Sequence, residues 1–230
     1  MADITTDILE RLNYTHLWST ETGSGMWGTQ RNDIDISSVW CVDTEKILRG
    51  ERVNQTFPQR KYRDVKRFGD IDVEEQSQEI GHLINKLIDG NVNAIWVVCS
   101  SNIIDKPHHT ILNDLQYITM KNLSKVSYHS IKGMVMSQYN DNIKRALVMP
   151  PGKAYRNAIR TANFGSTLLC ENKIVFKGIP RDYIPEESEV IDAIGGLDIA
   201  YEMSKLPEKP NEDAFRDFLY EVRMGFMDGG

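Results

Sequence analysis

Residues 23 to 36, GSGMWGTQRNDIDI, limit what this chain can fold into more than any other stretch. Glycines at 23, 25 and 28 surround Ser24, and D-I-D-I follows. In a strand, residues i and i+2 share a face. Asp33 and Asp35 therefore present two carboxylates side by side, while Ile34 and Ile36 point the other way and require a core. Like charges that close repel unless a cation sits between them. Mg²⁺ takes one or two carboxylates plus substrate phosphates. Glycines let the backbone approach a ligand, and consecutive N–H groups at a turn attract phosphate. Ser24 adds a hydroxyl. A lone D-x-D is usually a solvated pair and a lone GSG usually a plain turn. It is their order, phosphate cradle then metal-binding acids, that matches what phosphoryl or nucleotidyl transfer needs.

The remaining pattern predicts an α/β (α+β) protein whose front half is strand-rich and whose back half is helical. ITTDILERL reads as a short capped helix, and THLWSTET as a strand running into the glycine turn. IDISSVWCV is strand-like, and DTEKILRG is a two-turn helix with an aspartate N-cap and a glycine stop. Residues 51–68, with a proline and many cations, read as a loop or hairpin, and GDIDVEE as another short strand. EEQSQEIGHLINKLIDGN is expected to be a helix striped by Ile80, Leu83, Ile84, Leu87 and Ile88 and stopped by Gly90. NAIWVVCS is a helix or a buried strand. Helical periodicity runs from Ile111 to about Leu147 and from Lys153 to Leu169, and two capped helices follow Pro180. The expected division is residues 1–107 as a catalytic domain and 108–230 as a helical C-terminal domain.

The net charge of −6 argues against a broad basic surface for nucleic acid, though a local basic groove remains compatible with it. Cys41, Cys99 and Cys170 are far apart, lie in apolar runs and lack CxxC spacing, which fits reduced thiols in the cytoplasm. The polar, acidic N-terminus does not read as a signal peptide, and no apolar run approaches the ~18 residues of a membrane span.

The glycine–serine turn followed by D-x-D resembles the nucleotidyltransferases of the DNA polymerase β superfamily. More narrowly it resembles the predicted nucleotidyltransferases related to the RNA-ligase-associated group. GDIDVEEQSQEIGHLINKLIDGNVNAIWVVCS, SYHSIKGMVMSQYNDNIKRAL, GKAYRNAIRTANFGSTLL and LPEKPNEDAFRDFLYEV extend the resemblance over nearly the whole chain. It implies a small mixed β-sheet with flanking helices followed by a helical part, and an ATP- or other NTP-binding transferase. It also implies a two-metal Mg²⁺ (or Mn²⁺) site completed by a third carboxylate on a neighbouring strand. Asp70, Asp72 and Glu74 share one parity; Asp72, between Ile71 and Val73, is the favoured third ligand and Asp70 the runner-up. The expected roles are Asp33, Asp35 and Asp72 for metal and catalysis, and Gly23, Ser24, Lys153 and Arg160 for the nucleotide phosphates. The expected partners are a nucleoside triphosphate and a hydroxyl acceptor such as an RNA or tRNA end. The alternatives are a catalytically silent nucleotide- or RNA-binding protein, or a toxin-like enzyme that nucleotidylates a protein or tRNA. Asn32 stands where the family usually has serine, and Asn157 where it often has histidine, so no histidine step is assigned.

Three further groups have readings of their own. Lys153, Arg156 and Arg160 share one helical face as a wall for triphosphate or as an ordinary solvated face. Arg60, Lys61, Arg63, Lys66 and Arg67, interleaved with Tyr62 and Phe68, suit nucleic-acid phosphates or a surface loop. Lys144 and Arg145 complement a helix end. Trp27, inside the glycine turn, belongs to a core or pocket wall that could flank a base.

Overall fold

The structure, a computed structural model, describes residues 14–29, 33–144 and 152–226. The helix expected at ITTDILERL, Asn32 and Arg145 lie outside the described residues, as do the side chains of Lys66 and Lys144. A five-stranded mixed sheet forms the front of the molecule. Its strands are β1 (Tyr14–Glu21), β2 (Asp33–Val42), β3 (Thr56–Arg63), β4 (Asp72–Glu79) and β5 (Ile103–Asp105), ordered β3-β4-β2-β1-β5. β2 lies at the centre, antiparallel to β1 and parallel to β4. Helix α1 (Gly23–Met26) links β1 to β2, α2 (Thr44–Leu48) follows β2, and α3 (Val65–Phe68) follows β3. Then come α4 (Ile80–Ile88), α5 (Val92–Cys99), α6 (His109–Lys121), α7 (Ser127–Lys144), α8 (Lys153–Glu171), α9 (Glu187–Met203) and α10 (Glu212–Gly225).

The local chemistry explains most boundaries. The Asp43 side chain accepts the Glu45 N–H at 2.8 Å and caps α2. Gly90 ends α4 with φ +67°, and Ile80, Leu83, Ile84 and Leu87 are buried as the periodicity requires. Two expectations are corrected. Residues 76–79, read as the start of α4, belong to β4, because Gln78 and Ser77 pair with β3 and the Glu79 side chain caps the helix that begins at Ile80. The loop or hairpin expected at 51–68 contains a full strand, β3, at the sheet edge, where Pro58 costs no ladder bond.

One hydrophobic cluster runs through both halves of the chain, from Trp18 and Val39 in the sheet through Ile95 in α5 to Phe164 in α8 and Phe215 in α10. At the far end, Arg223 of α10 pairs with the buried Glu79 and donates to the Val42 carbonyl at 3.0 Å. The helical part is thereby fixed to the C-terminal ends of the two inner strands β2 and β4. Among the described residues, no helix is long and apolar enough to cross a membrane.

Candidate active site: an acid pair facing a cationic helix

β2 delivers its acids as the alternation requires. Ile34 and Ile36 are buried under the sheet, while Asp33 is exposed and Asp35 half-buried on the opposite face. The glycine turn expected from sequence is a single helical turn, α1, whose backbone is folded onto Asp35. Gly23 has φ +57°, and a Cβ there would collide with Asp35 Oδ2. Thr22 N–H donates to the Asp35 carbonyl at 2.8 Å. A Cβ on Gly25 would collide with Glu21 Oε1 in the same way. Gly23 is therefore favoured by its positive φ as well as by this contact, and Gly25 by its contact alone. Thr29 closes the turn, its hydroxyl donating to the Ser24 carbonyl at 2.8 Å.

Sequence reasoning missed the support beneath this turn. Asn102, just before β5, donates through Nδ2 to the Gly25 carbonyl at 2.9 Å and accepts the Glu21 N–H at 2.8 Å. Ser100 donates its hydroxyl to the Glu21 carbonyl at 3.0 Å. These residues lie more than 70 positions from the turn, and no local pattern marks them.

Across the cleft stands the first half of α8. Lys153, Arg156, Asn157 and Arg160 line one cavity of about 510 Å³ together with Gly23, Ser24, Asp33 and Asp35. The expected face of three cations thus meets the expected acids. The connector between α8 and α9 adds Arg181 and Asp182 to the rim. Arg156 is buried and donates to the Tyr183 carbonyl at 2.6 Å. Arg160 lies over the Trp27 ring, 5.0 Å from its centroid, and its buried Nε has no hydrogen-bond partner. Burial, reinforced by neighbouring Arg156, pulls its pKa down to about 10. Trp27 lies beneath Arg160, within a cluster of Trp96, Phe164 and Phe176, so it forms a wall and not an open stacking surface.

Electrostatics separate the carboxylates. Burial first, then Asp33 and Glu74, raise the pKa of Asp35, and Lys153 opposes them. Among the described residues, neither Asp33 nor Asp35 has an ion-pair or hydrogen-bond partner for its carboxylate. In β4, Asp72 stands opposite Asp33 and Glu74 opposite Asp35, on the same face. Both are engaged from β3. Arg63 Nε donates to Asp72 Oδ1 at 2.5 Å while its Nη1 donates to Asp70 Oδ1 at 2.8 Å. Lys61 and Gln59 hold Glu74. Among the described residues, no group of three or more His, Cys, Asp or Glu side chains gathers closely enough to hold a metal ion. The donor set present, two unpaired carboxylates with oxygen ligands only, fits a hard dication completed by substrate phosphates.

The basic stretch of β3 is therefore largely neutralised by its own neighbours. Arg67 turns away, donating to the Ile104 carbonyl at 3.1 Å. Burial pushes the Cys99 thiol up to about 12 and the Cys41 thiol up to about 11, which leaves both inert. His108 holds the N-cap position of α6 without a side-chain capping bond and packs edge-on against Phe226 at 5.3 Å.

No protein-family profile and no curated protein matches the chain. Among solved structures, the chain is similar to a nucleotidyltransferase-like protein from Exiguobacterium sibiricum, at 15% identity over 97% of this chain and 73% of the other, with a TM-score of 0.34.

Proposed function

We propose that the chain is a metal-dependent nucleotidyltransferase that moves a nucleoside monophosphate from a triphosphate to a hydroxyl acceptor, with release of pyrophosphate. The observation that carries the reading is the cleft itself, where an acid pair without a partner among the described residues, and a glycine turn folded onto it, face three cations of α8. Asp33 and Asp35 would hold Mg²⁺ or Mn²⁺, with Asp72 joining at a second metal position. Bound there, the ions would supply charge neutralisation for the triphosphate and lower the pKa of the attacking hydroxyl.

The chain's own residues do the rest. Backbone N–H groups at Gly23 and Ser24 take phosphate oxygens, and the Ser24 hydroxyl adds a donor. Lys153 and Arg160 stabilise the negative charge of the leaving pyrophosphate from the opposite wall. The unpartnered Nε of Arg160 is a donor waiting for an acceptor. The acids come from the 1–107 part and the cations from the 108–230 part, so substrate binding uses both. Three free thiols, two of them raised by burial, fit a reducing compartment such as the cytoplasm.

One observation favours a second reading, a nucleotide-binding protein without transfer. Asp72 and Glu74, the two β4 acids beside the pair, are both neutralised by cations of β3. Those bridges are solvent-exposed, however, and such pairs are weak enough to yield to a dication.

The deciding experiment incubates the protein, with Mg²⁺ or Mn²⁺ and each of four α-labelled triphosphates, against total RNA, tRNA and protein extract. Label that depends on Asp33 and Asp35 and appears on RNA supports an RNA nucleotidyltransferase; label on protein assigns a protein acceptor. Saturable triphosphate binding without transfer to any acceptor selects the silent reading.

A further inference from the structure

Behind the α8–α9 connector lies a second cavity, of about 480 Å³. Its walls include Phe164 and Thr167 of α8 and Val175, Ile179, Pro180 and Tyr183 of the connector. It adjoins the acid cleft, because Arg160 and Ile179 line both. The connector is held at two points on either side of it. Phe176 stacks on Phe164 with centroids 5.5 Å apart, and the Tyr183 carbonyl accepts from Arg156. Gly178 passes so close to the Trp27 carbonyl that a Cβ there would collide with it.

The chemistry of this second cavity differs from that of the first. Val175 is 45% exposed and Tyr183 44% exposed, so apolar surface is left in water at its mouth. Asn163 lines it and is exposed, and its side-chain amide makes no hydrogen bond among the described residues. An amide offers a donor and an acceptor side by side, the complement of a nucleobase edge. Apolar walls with one such amide suit a heterocycle, and the cavity lies in the size range of small-molecule sites.

We infer that this cavity is a nucleobase site, with Asn163 reading the base edge, Val175, Ile179 and Pro180 enclosing its faces, and Arg160 joining it to the phosphate-binding cleft. The inference rests on the nucleotide reading of that cleft for the source of the base, which is either the donor triphosphate itself or a base of an acceptor strand.

Calorimetric titration tests it on the full chain with Mg²⁺ present. The probes are ATP, GTP, CTP and UTP, inorganic tripolyphosphate, and five-nucleotide oligoribonucleotides of each single base. Asn163→Ala and Val175→Asp change exposed positions and leave the fold intact, checked by circular dichroism. The expected result is at least one base-bearing probe binding about tenfold more tightly than its base-free or mismatched counterpart, with most of that factor lost in both variants. Tripolyphosphate affinity should stay unchanged in both. Loss confined to a triphosphate identifies the donor's base, and loss confined to an oligonucleotide identifies the acceptor's; either supports the site. Base-dependent binding that ignores both substitutions, or no base-dependent binding in the unmodified chain, overturns it. This readout is separate from transfer: if Asp33→Asn/Asp35→Asn retained transfer, the metal-dependent reading would fall while the base site stood on its own titration.

Discussion

β2 and β4 run side by side, in parallel and in register, and each presents two acids to the same face, yet their fates differ. Asp72 and Glu74 are neutralised by Arg63 and Lys61 from the edge strand. Among the described residues, Asp33 and Asp35 have no such partner, and the Gly23 backbone presses against Asp35. An acid row next to an edge strand of cations makes a solvated ladder, whereas the same row next to a glycine turn keeps its charge for a ligand. The difference lies in the neighbours, since both rows are two acids spaced two residues apart, Asp33 with Asp35 and Asp72 with Glu74, standing in register.

The comparison can be broken most directly by neutralising the β2 pair. Asp33→Asn/Asp35→Asn is expected to reduce nucleotidyl transfer about a thousandfold or more while leaving a folded protein, measured by α-label incorporation and circular dichroism. Retained metal-dependent transfer would end the proposal. The glycine contact comes next. Gly23→Ala adds a Cβ at positive φ against Asp35 and should cost roughly 1–3 kcal/mol in denaturant unfolding. Part of that cost should vanish when Asp35 is also changed to Ala, and strict additivity of the two changes would contradict the contact.

On the opposite wall, Arg160→Met removes a buried cation with an unpartnered nitrogen. It should weaken triphosphate binding about tenfold without loss of thermal stability. A large drop in the midpoint would instead mark Arg160 as a structural residue.

A smaller effect follows from the raised pKa of Asp35. The folded state there holds its proton to higher pH than the unfolded chain. Stability is therefore lost as pH rises from the ordinary carboxylate range through the raised value, and it stays lost above. Asp35→Asn should remove that slope and raise stability near neutral pH by roughly 0.5 kcal/mol, since the carboxyl is partly open to solvent. Mg²⁺ should stabilise the unmodified chain and not the variant. The smallest effect is expected for Arg63→Gln, which releases Asp72 and should move the thermal midpoint by about a degree at most. If Asp72 serves as the third ligand, this change should leave Mg²⁺ binding equal or tighter; weaker binding would place Arg63 itself among the groups the site needs.

Much of this was legible along the chain. Alternation placed Ile34 and Ile36 inside and the two aspartates outside, and the spacing of 153, 156 and 160 put three cations on one helix face. What failed was the border between β4 and α4. EEQSQEI is polar enough to pass for a helical turn, and the partner strand that holds it extended has no clear signature of its own. For the same reason Arg63 reads from sequence as a nucleic-acid phosphate contact or part of a surface loop, because nothing in R-K-Y-R says that Asp72 lies across the ladder.

By itself the sequence determined the elements that need only local periodicity and capping: the acid strand, the glycine stop of α4, the amphipathic faces of the later helices. Only the tertiary structure decided which acids are free and which are neutralised, that Asn102 holds up the glycine turn, and that α8 faces β2. Those outcomes depend on pairings between distant segments, and a local pattern carries no record of the neighbour against which its charges will come to rest.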